Sequence, residues 1–363
     1  LRLSHFDALK PLCPRCLRRG VDAPLSLAEV WKEQGGAVLE AVLHCPESAC
    51  RAEYPVVDGI PLLVADLRDF CSRNQLSLLG RSDLGPELEG LLGDCLGPGS
   101  AQDSRNQVLS TYAFDHWGDL DPVPAPGGRP GAVRELLSRL LDLAGPGPVG
   151  PVLDCGCAAG RTSFDLAGRI SFDLADPAGG LVLGADLNLD LLRLGQSVLL
   201  RGRAAYPLRR AGIVFERRAF AVDPPQAGRV DFWCLDAAEP PFAPGTFGLA
   251  ASLNLVDCVA SPLSHLAGLE RVLRPGGRAL LCTPYDWSGG VTAPENWLGG
   301  HSQRGEVRGD PAAVLRSLLA GGGHPAALAG LRLAAEAEGR WRVRLHDRSS
   351  VDYAVHLVVA ERA

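Results

Sequence analysis

Residues 150–170 read GPVLDCGCAAGRTSFDLAGRI, and the fold is decided there. An apolar run leads to Asp154, as a buried strand does. Gly156 and Gly160 then turn the chain, and TSFDLA follows as a helix. Glycines at such a turn let the backbone approach a ligand closely, and a carboxylate at the strand end meets hydrogen-bonding or cationic groups. The stretch is not the G-x-G-x-x-G dinucleotide fingerprint, because Ala158 stands in place of the second glycine and the spacing differs.

The same theme repeats downstream. GLVLGADLNLDLLRLGQSVLL (180–200) is an apolar strand ending at Asp186, then a helix. VDFWCLDAAEPPFAPGTFGLAASLNLVDCV (230–259) holds two more strands, and LSHLAGLERVLRPGGRALLCTPYDW (263–287) is helix, Pro-Gly-Gly turn, strand. The tail RWRVRLHDRSSVDYAVHLVVAERA (340–363) alternates as two long strands. Repeated βα units build an open, mostly parallel sheet that binds ligands at the carboxyl ends of its strands, and the tail hairpin adds an antiparallel strand. Upstream, GAVRELLSRLLDLAG (131–145) is a helix by spacing. SFDLAGR at Ser163 recurs as SFDLADP at Ser171, a local duplication carrying no functional weight.

The chain has 363 residues, 46% hydrophobic and 21% charged, which supplies a core for one large domain or two ordinary ones and excludes wholesale disorder. A net charge of −6 argues against a protein built to coat nucleic acid. No apolar run approaches the roughly 18 residues that span a bilayer, and no charged-then-apolar leader opens the chain, so a soluble cytoplasmic protein without membrane contact is expected. Lys10 and Lys32 are the only lysines, and Gly (43) and Pro (28) are abundant, a GC-rich pattern.

Four of the eleven cysteines, Cys13, Cys16, Cys45 and Cys50, form C-x2-C and C-x4-C pairs in a first unit of residues 1–67. At this spacing four thiolates can surround one structural Zn²⁺; four sulfurs leave no open position for catalysis. Unpaired buried cysteines, or a site that has lost its metal, are the alternatives. Residues 68–108 read as a linker with one or two short helices, followed by the main domain at 109–363.

Taken together, the motifs resemble those of class I S-adenosylmethionine-dependent methyltransferases. The form D-x-G-x-x-x-G of Asp154, Gly156 and Gly160 matches their first motif, and the resemblance implies that these residues and Ala158 hold the amino-acid end of the cofactor. Asp186, with Leu187 beside it, takes the ribose hydroxyls. By the same resemblance Asp236-Ala237 lies near the adenine amine and Asn254 beside the methyl-transfer site. The implied fold is a Rossmann-like, seven-stranded, mostly parallel α/β sheet with one antiparallel strand, plus a small N-terminal β-rich zinc-ribbon-like domain.

More narrowly, DCGCAAGRTSFDLA, SLNLVDCV and TPYDWSGGVTAPENWLGG (283–300) resemble the methyltransferases that complete ovothiol synthesis by methylating a ring nitrogen of a mercaptohistidine. The N-terminal cysteine unit, an Arg-rich insertion (201–229) and the tail depart from that pattern. YPVVDGIPLLV (54–64) resembles the small zinc-ribbon activator of tRNA and release-factor methyltransferases.

Methyl transfer is an in-line displacement, so positioning and exclusion of water carry most of the acceleration, and aromatic faces suit a cationic partner. Tyr112, His116, Trp117, Tyr285, Trp287 and Trp297 are candidates for that lining, with His116 as base because histidine titrates near neutrality, or else as an exposed helix residue. Tyr112 and Tyr285 are the other catalytic candidates; Asp257 and Asp286 can bind an amino group. The 284–300 stretch is expected to close as a lid on its glycine pairs. The arginines from Arg201 to Arg218 read as a solvated helix face, or as a site for a carboxylate or RNA. The favoured activity is N- or S-methylation of a small amino-acid-like imidazole or thiol metabolite. The rivals are an RNA or protein methyltransferase that docks through the ribbon, which the charge and the absence of an Asn-Pro-Pro-Tyr motif oppose, and a non-catalytic cofactor-binding protein.

Overall fold

The computed structural model describes residues 1–81, 83–146, 150–170, 180–304, 307–321 and 324–363. The second copy of the duplicated heptapeptide, beginning at Ser171, lies outside the described residues.

The chain opens with helices α1 (Leu3–Leu9) and α2 (Pro14–Leu17) and a meander of strands β1 (Ser26–Gln34), β2 (Ala37–His44), β3 (Glu53–Val57) and β4 (Ile60–Leu63). Asp58 and Gly59, both at positive φ (54° and 84°), make the two-residue turn between β3 and β4. Helices α3 (Leu67–Arg73), α4 (Gln75–Leu79), α5 (Pro86–Leu96), α6 (Ala101–Trp117) and α7 (Ala132–Ala144) follow. The remainder is β5 (Val152–Cys155), α8 (Arg161–Arg169), β6 (Val182–Asp186), α9 (Leu189–Arg201), β7 (Arg203–Ala211), β8 (Val214–Ala221), β9 (Val230–Leu235), β10 (Phe247–Leu253), α10 (Pro262–Val272), β11 (Leu273–Thr283), α11 (Pro311–Leu318), β12 (Leu331–His346) and β13 (Ser349–Arg362).

Among the described residues the main sheet has eleven strands, in the order β1-β2-β3-β4-β9-β6-β5-β10-β11-β13-β12. From β9 to β12 all neighbours pair in parallel except around β13, which runs antiparallel to both β11 and β12. The seven strands from β9 to β12 contain one antiparallel member, β13, and the four strands of the N-terminal cysteine unit join the same sheet. β4 pairs in parallel with β9 through Leu62↔Cys234 and Leu63↔Leu235, so the cysteine unit extends the same sheet. The reason is burial: all four residues of Ile60–Leu63 are buried, a pattern that suits an interior strand covered on both faces.

Two expectations change. The boundary at 108/109 falls inside α6, a continuous helix capped by the Ser100 hydroxyl, which accepts the Asp103 N–H at 3.1 Å. The Arg-rich insertion is a β-hairpin of β7 and β8 rather than a helix face. Its residues alternate, burying Ala204, Tyr206 and Leu208, while Arg210 pairs with Asp347 at 2.7 Å and Arg218 with Asp121 at 3.3 Å.

Apolar layers cover both faces of the sheet. One holds Trp117, Leu136, Phe164 and Phe232 beneath α6 to α9; the other holds Phe242, Leu266, Leu269 and Leu315 beneath α10 and α11. No helix among the described residues is long and apolar enough to cross a membrane.

Candidate active site

The glycine turn after β5 is bound to the neighbouring strand end. Gly156 (φ 70°) donates its N–H to the Ala185 carbonyl at 2.8 Å. Ala158, held at φ 46°, donates to Asp186 Oδ2 at 2.9 Å, and Asn188 donates to Asp186 Oδ1 at 2.8 Å. Each carboxylate oxygen keeps a lone pair for a further donor. Burial pushes the Asp186 carboxyl up, against the backbone N–H groups that favour its anion. A Cβ at Gly156 would lie 2.9 Å from Leu255 Cδ1, so glycine keeps this cradle open.

Asp154 and Gly160 stand behind the cradle. Asp154 is 1% exposed, and its Oδ2 accepts the Thr162 and Ser163 hydroxyls at 2.7 Å each, locking the first turn of α8. Burial raises its carboxyl to about 6. Gly160 (φ 84°) packs on Phe232, whose Cζ would lie 2.6 Å from an added Cβ. Both contacts described here lie inside the fold, where Asp154 fixes the start of α8 and Gly160 packs on the core.

Asp236, just past β9, accepts the Ala238 N–H at 2.9 Å. Ala237 is buried, and its carbonyl bonds His265 Nδ1 at 2.8 Å. Asn254, at the end of β10 with φ 52°, has a buried Nδ2 without a partner. A cavity of about 710 Å³ is lined by Leu187, Asn188 and Asp236, which follow β6 and β9, and by Val64, Phe70 and Leu76.

The aromatic candidates separate into three groups. Tyr112 lies near Cys258, Asp186, Asp257 and Tyr353; burial first, then these groups, push its phenol up. The exposed Asp286 carboxylate faces the Tyr353 hydroxyl. Tyr285, Trp287 and Trp297 form a run on the opposite face of the sheet, with ring centroids 6.2 Å apart for the first pair and 5.9 Å for the stacked second. Tyr285 Oη bonds His356 Nδ1 at 2.8 Å, and His356 Nε2 bonds Glu336 at 2.9 Å.

His116 and Trp117 form the third group, and both assignments are corrected. His116 is 3% exposed and its Nδ1 accepts the Arg161 N–H at 3.1 Å. Burial, with Arg161 and Arg134 nearby, lowers it to about 3, so it is a neutral acceptor rather than a base. Trp117 is fully buried and donates to the Ala159 carbonyl at 2.9 Å, bracing the glycine turn from behind. Asp257 also changes role. It is buried, accepting the Asp286 N–H at 2.8 Å and the Thr283 hydroxyl at 3.3 Å, and so anchors the 283–292 segment.

Tyr353, His356 and the 64–76 segment were not singled out from the sequence. The one available signal was topological: an antiparallel last strand starts at the edge where parallel strands end, which places Tyr353 near the site.

The four N-terminal cysteine sulfurs lie within 4.8 Å of one another, with Cys13 and Cys50 3.8 Å apart and Cys16 and Cys45 3.6 Å apart. Tetrahedral zinc at about 2.3 Å from each sulfur requires sulfurs about 3.8 Å apart. The donor set and its geometry fit that ion.

Residues 153–281 match the family model for a methyltransferase domain. A search of the curated proteins finds no match. Solved structures similar to this chain include a TehB-like S-adenosylmethionine-dependent methyltransferase from Corynebacterium glutamicum, 19% identical over 63% of this chain and 88% of that one, with TM-score 0.34. An S-adenosylmethionine-dependent methyltransferase from Methanosarcina mazei is 16% identical over 59% and 92%, with TM-score 0.36. Phosphoethanolamine N-methyltransferase 2 of Haemonchus contortus is 20% identical over 47% and 32%, with TM-score 0.32. With the glycine turn and the Asp186 strand end inside the matched residues 153–281, the chain carries a methyltransferase domain.

Proposed function

We propose that the protein methylates a nitrogen or sulfur of a small amino-acid-like imidazole or thiol metabolite. The observation that carries this reading is that Tyr112 lies near Asp186 and Tyr353, and that the Tyr353 hydroxyl in turn faces Asp286, just past the end of β11. Such a site offers phenols and a carboxylate to a small N–H- or S–H-bearing group.

The cradle fits the cofactor on its own chemistry. The Asp186 carboxylate holds the ribose hydroxyls, the turn at Gly156–Ala158 and the unpartnered Asn254 Nδ2 take the amino-acid end, and Asp236 lies toward the adenine amine. S-adenosylmethionine supplies an electrophilic methyl group when bound. The chain's own residues orient the acceptor: Tyr112 and Tyr353 flank it, and the exposed Asp286 accepts its proton or its N–H. Asp257 holds Asp286 in place through the backbone. Zinc on Cys13, Cys16, Cys45 and Cys50 has a structural role, since no coordination position stays open.

A basic docking track for RNA finds little support in the hairpin, where Arg210 pairs with Glu216 and Asp347, and Arg218 with Asp121 and Glu216. The deciding experiment incubates the protein and labelled cofactor with a metabolite extract, with RNA and with whole protein in parallel. Label in a small molecule supports the reading; label in RNA or protein alone refutes it. Asp186→Ala should abolish the label and weaken S-adenosylhomocysteine by about tenfold or more, because charge-assisted hydrogen bonds are lost.

A further inference from the structure

We propose that the adenine end of the cofactor lies in a slot whose outer wall is the 64–76 segment, so that chain ahead of the methyltransferase domain belongs to the cofactor site itself. The inference rests on the reading that Asp186 holds the ribose of S-adenosylmethionine.

The cavity is lined by Leu187 and Asp236, which follow β6 and β9, and by Val64, Phe70 and Leu76 of the 64–76 segment. Leu187 and Leu76 are 43% and 45% exposed, although both lie within a concavity. Val64, Phe70, Leu76 and Leu187 in this lining offer apolar surface suited to the faces of a flat aromatic ring, beside charged groups that include Asp66, Asp69 and Asp190. The outer wall is held at two points. β4 runs hydrogen-bonded beside β9, so Val64 leaves the sheet next to the end of β9, where Asp236 follows. Asp190, in the first turn of α9, accepts the Ser77 hydroxyl at 2.6 Å and Arg105 at 2.8 Å, tying α4 and α6 to the element that follows Asp186. Of the lining residues, those that match the methyltransferase family, 153–281, are Leu187, Asn188, Asp190 and Asp236; the rest precede that domain.

The test is calorimetric titration of the whole chain with S-adenosylhomocysteine. Leu76→Ala removes apolar wall at an exposed position, and Ala65→Trp fills the slot from its rim. Leu79→Ala, on the same helix but 86% exposed and outside the cavity, is the reference. Ala65→Trp should weaken binding about tenfold or more and Leu76→Ala about threefold to tenfold, with Leu79→Ala within about twofold of wild type. If wild type binds and both slot variants bind as wild type does, the slot is overturned and the cofactor reading stands. If wild type does not bind S-adenosylhomocysteine, the cofactor reading itself fails and the slot falls with it.

Discussion

Replacing His116 with asparagine should remove a large part of the protein's acid sensitivity. The imidazole is buried behind the glycine turn, with Nδ1 accepting the Arg161 N–H at 3.1 Å, and is lowered from 6.5 to about 3. The unfolded chain takes up a proton at this histidine as pH falls through 6.5, whereas the folded chain does so only near 3. Its contribution is therefore fully present above 6.5 and is lost on acidification toward 3. With those values the loss is about 2 kcal/mol at pH 5 and about 3 kcal/mol at pH 4, relative to pH 8. The asparagine Oδ1 falls near the position of Nδ1 and keeps the bond to Arg161 without titrating. It also leaves a small cavity, whose cost does not depend on pH. Urea unfolding followed by tryptophan fluorescence at pH 8, 5 and 4 gives the test, because the other titrating groups cancel in the difference between wild type and variant. The variant should lose stability relative to wild type at pH 8 and regain about 2–3 kcal/mol of that deficit by pH 4. A difference that stays flat across this range, or a resonance for His116 that titrates near neutrality, would falsify the buried-acceptor assignment and return the residue to the list of candidate bases.

Gly160→Ala should destabilise the fold by about 2–5 kcal/mol, combining the left-handed strain at φ 84° with a Cβ placed 2.6 Å from the Phe232 ring. Thermal unfolding beside Gly228→Ala, where an added Cβ meets nothing within 4 Å, measures it; equal melting temperatures for the two variants would contradict the packing argument. Chelator-free protein should carry one zinc per chain, and Cys45→Ser should lower both metal content and melting temperature. Since β4 continues into the cavity wall, cofactor affinity should fall as well. Protein that holds no zinc yet melts as the cysteine variant does would remove the metal from the account.

What was legible in the sequence is what short windows encode. The alternation of apolar strands with helices, the turn at Gly156 to Gly160 and the acid ending β6 each depend on a few consecutive residues, so they read directly as the parallel core and the carboxyl ends of its strands. The paired spacing of Cys13–Cys16 and Cys45–Cys50 likewise foretold the sulfur cluster that the structure brings together. Only the tertiary structure decided which of those windows meet. The hydrogen bonds of β4 alongside β9 join segments some 170 residues apart, and no local pattern specifies that pairing. The same holds for His116. Its Asp-His-Trp neighbourhood looks polar along the chain, yet α6 turns the histidine toward the backbone of α8, where burial holds it neutral. The Arg-rich stretch became a hairpin because its alternation allowed Tyr206 and Leu208 to enter the core, while Asp121 and Asp347, distant in sequence, neutralised its charges. A residue's type sets which interactions it can make; its burial and its partners, which set its pKa and its chemical role, depend on packing between distant segments.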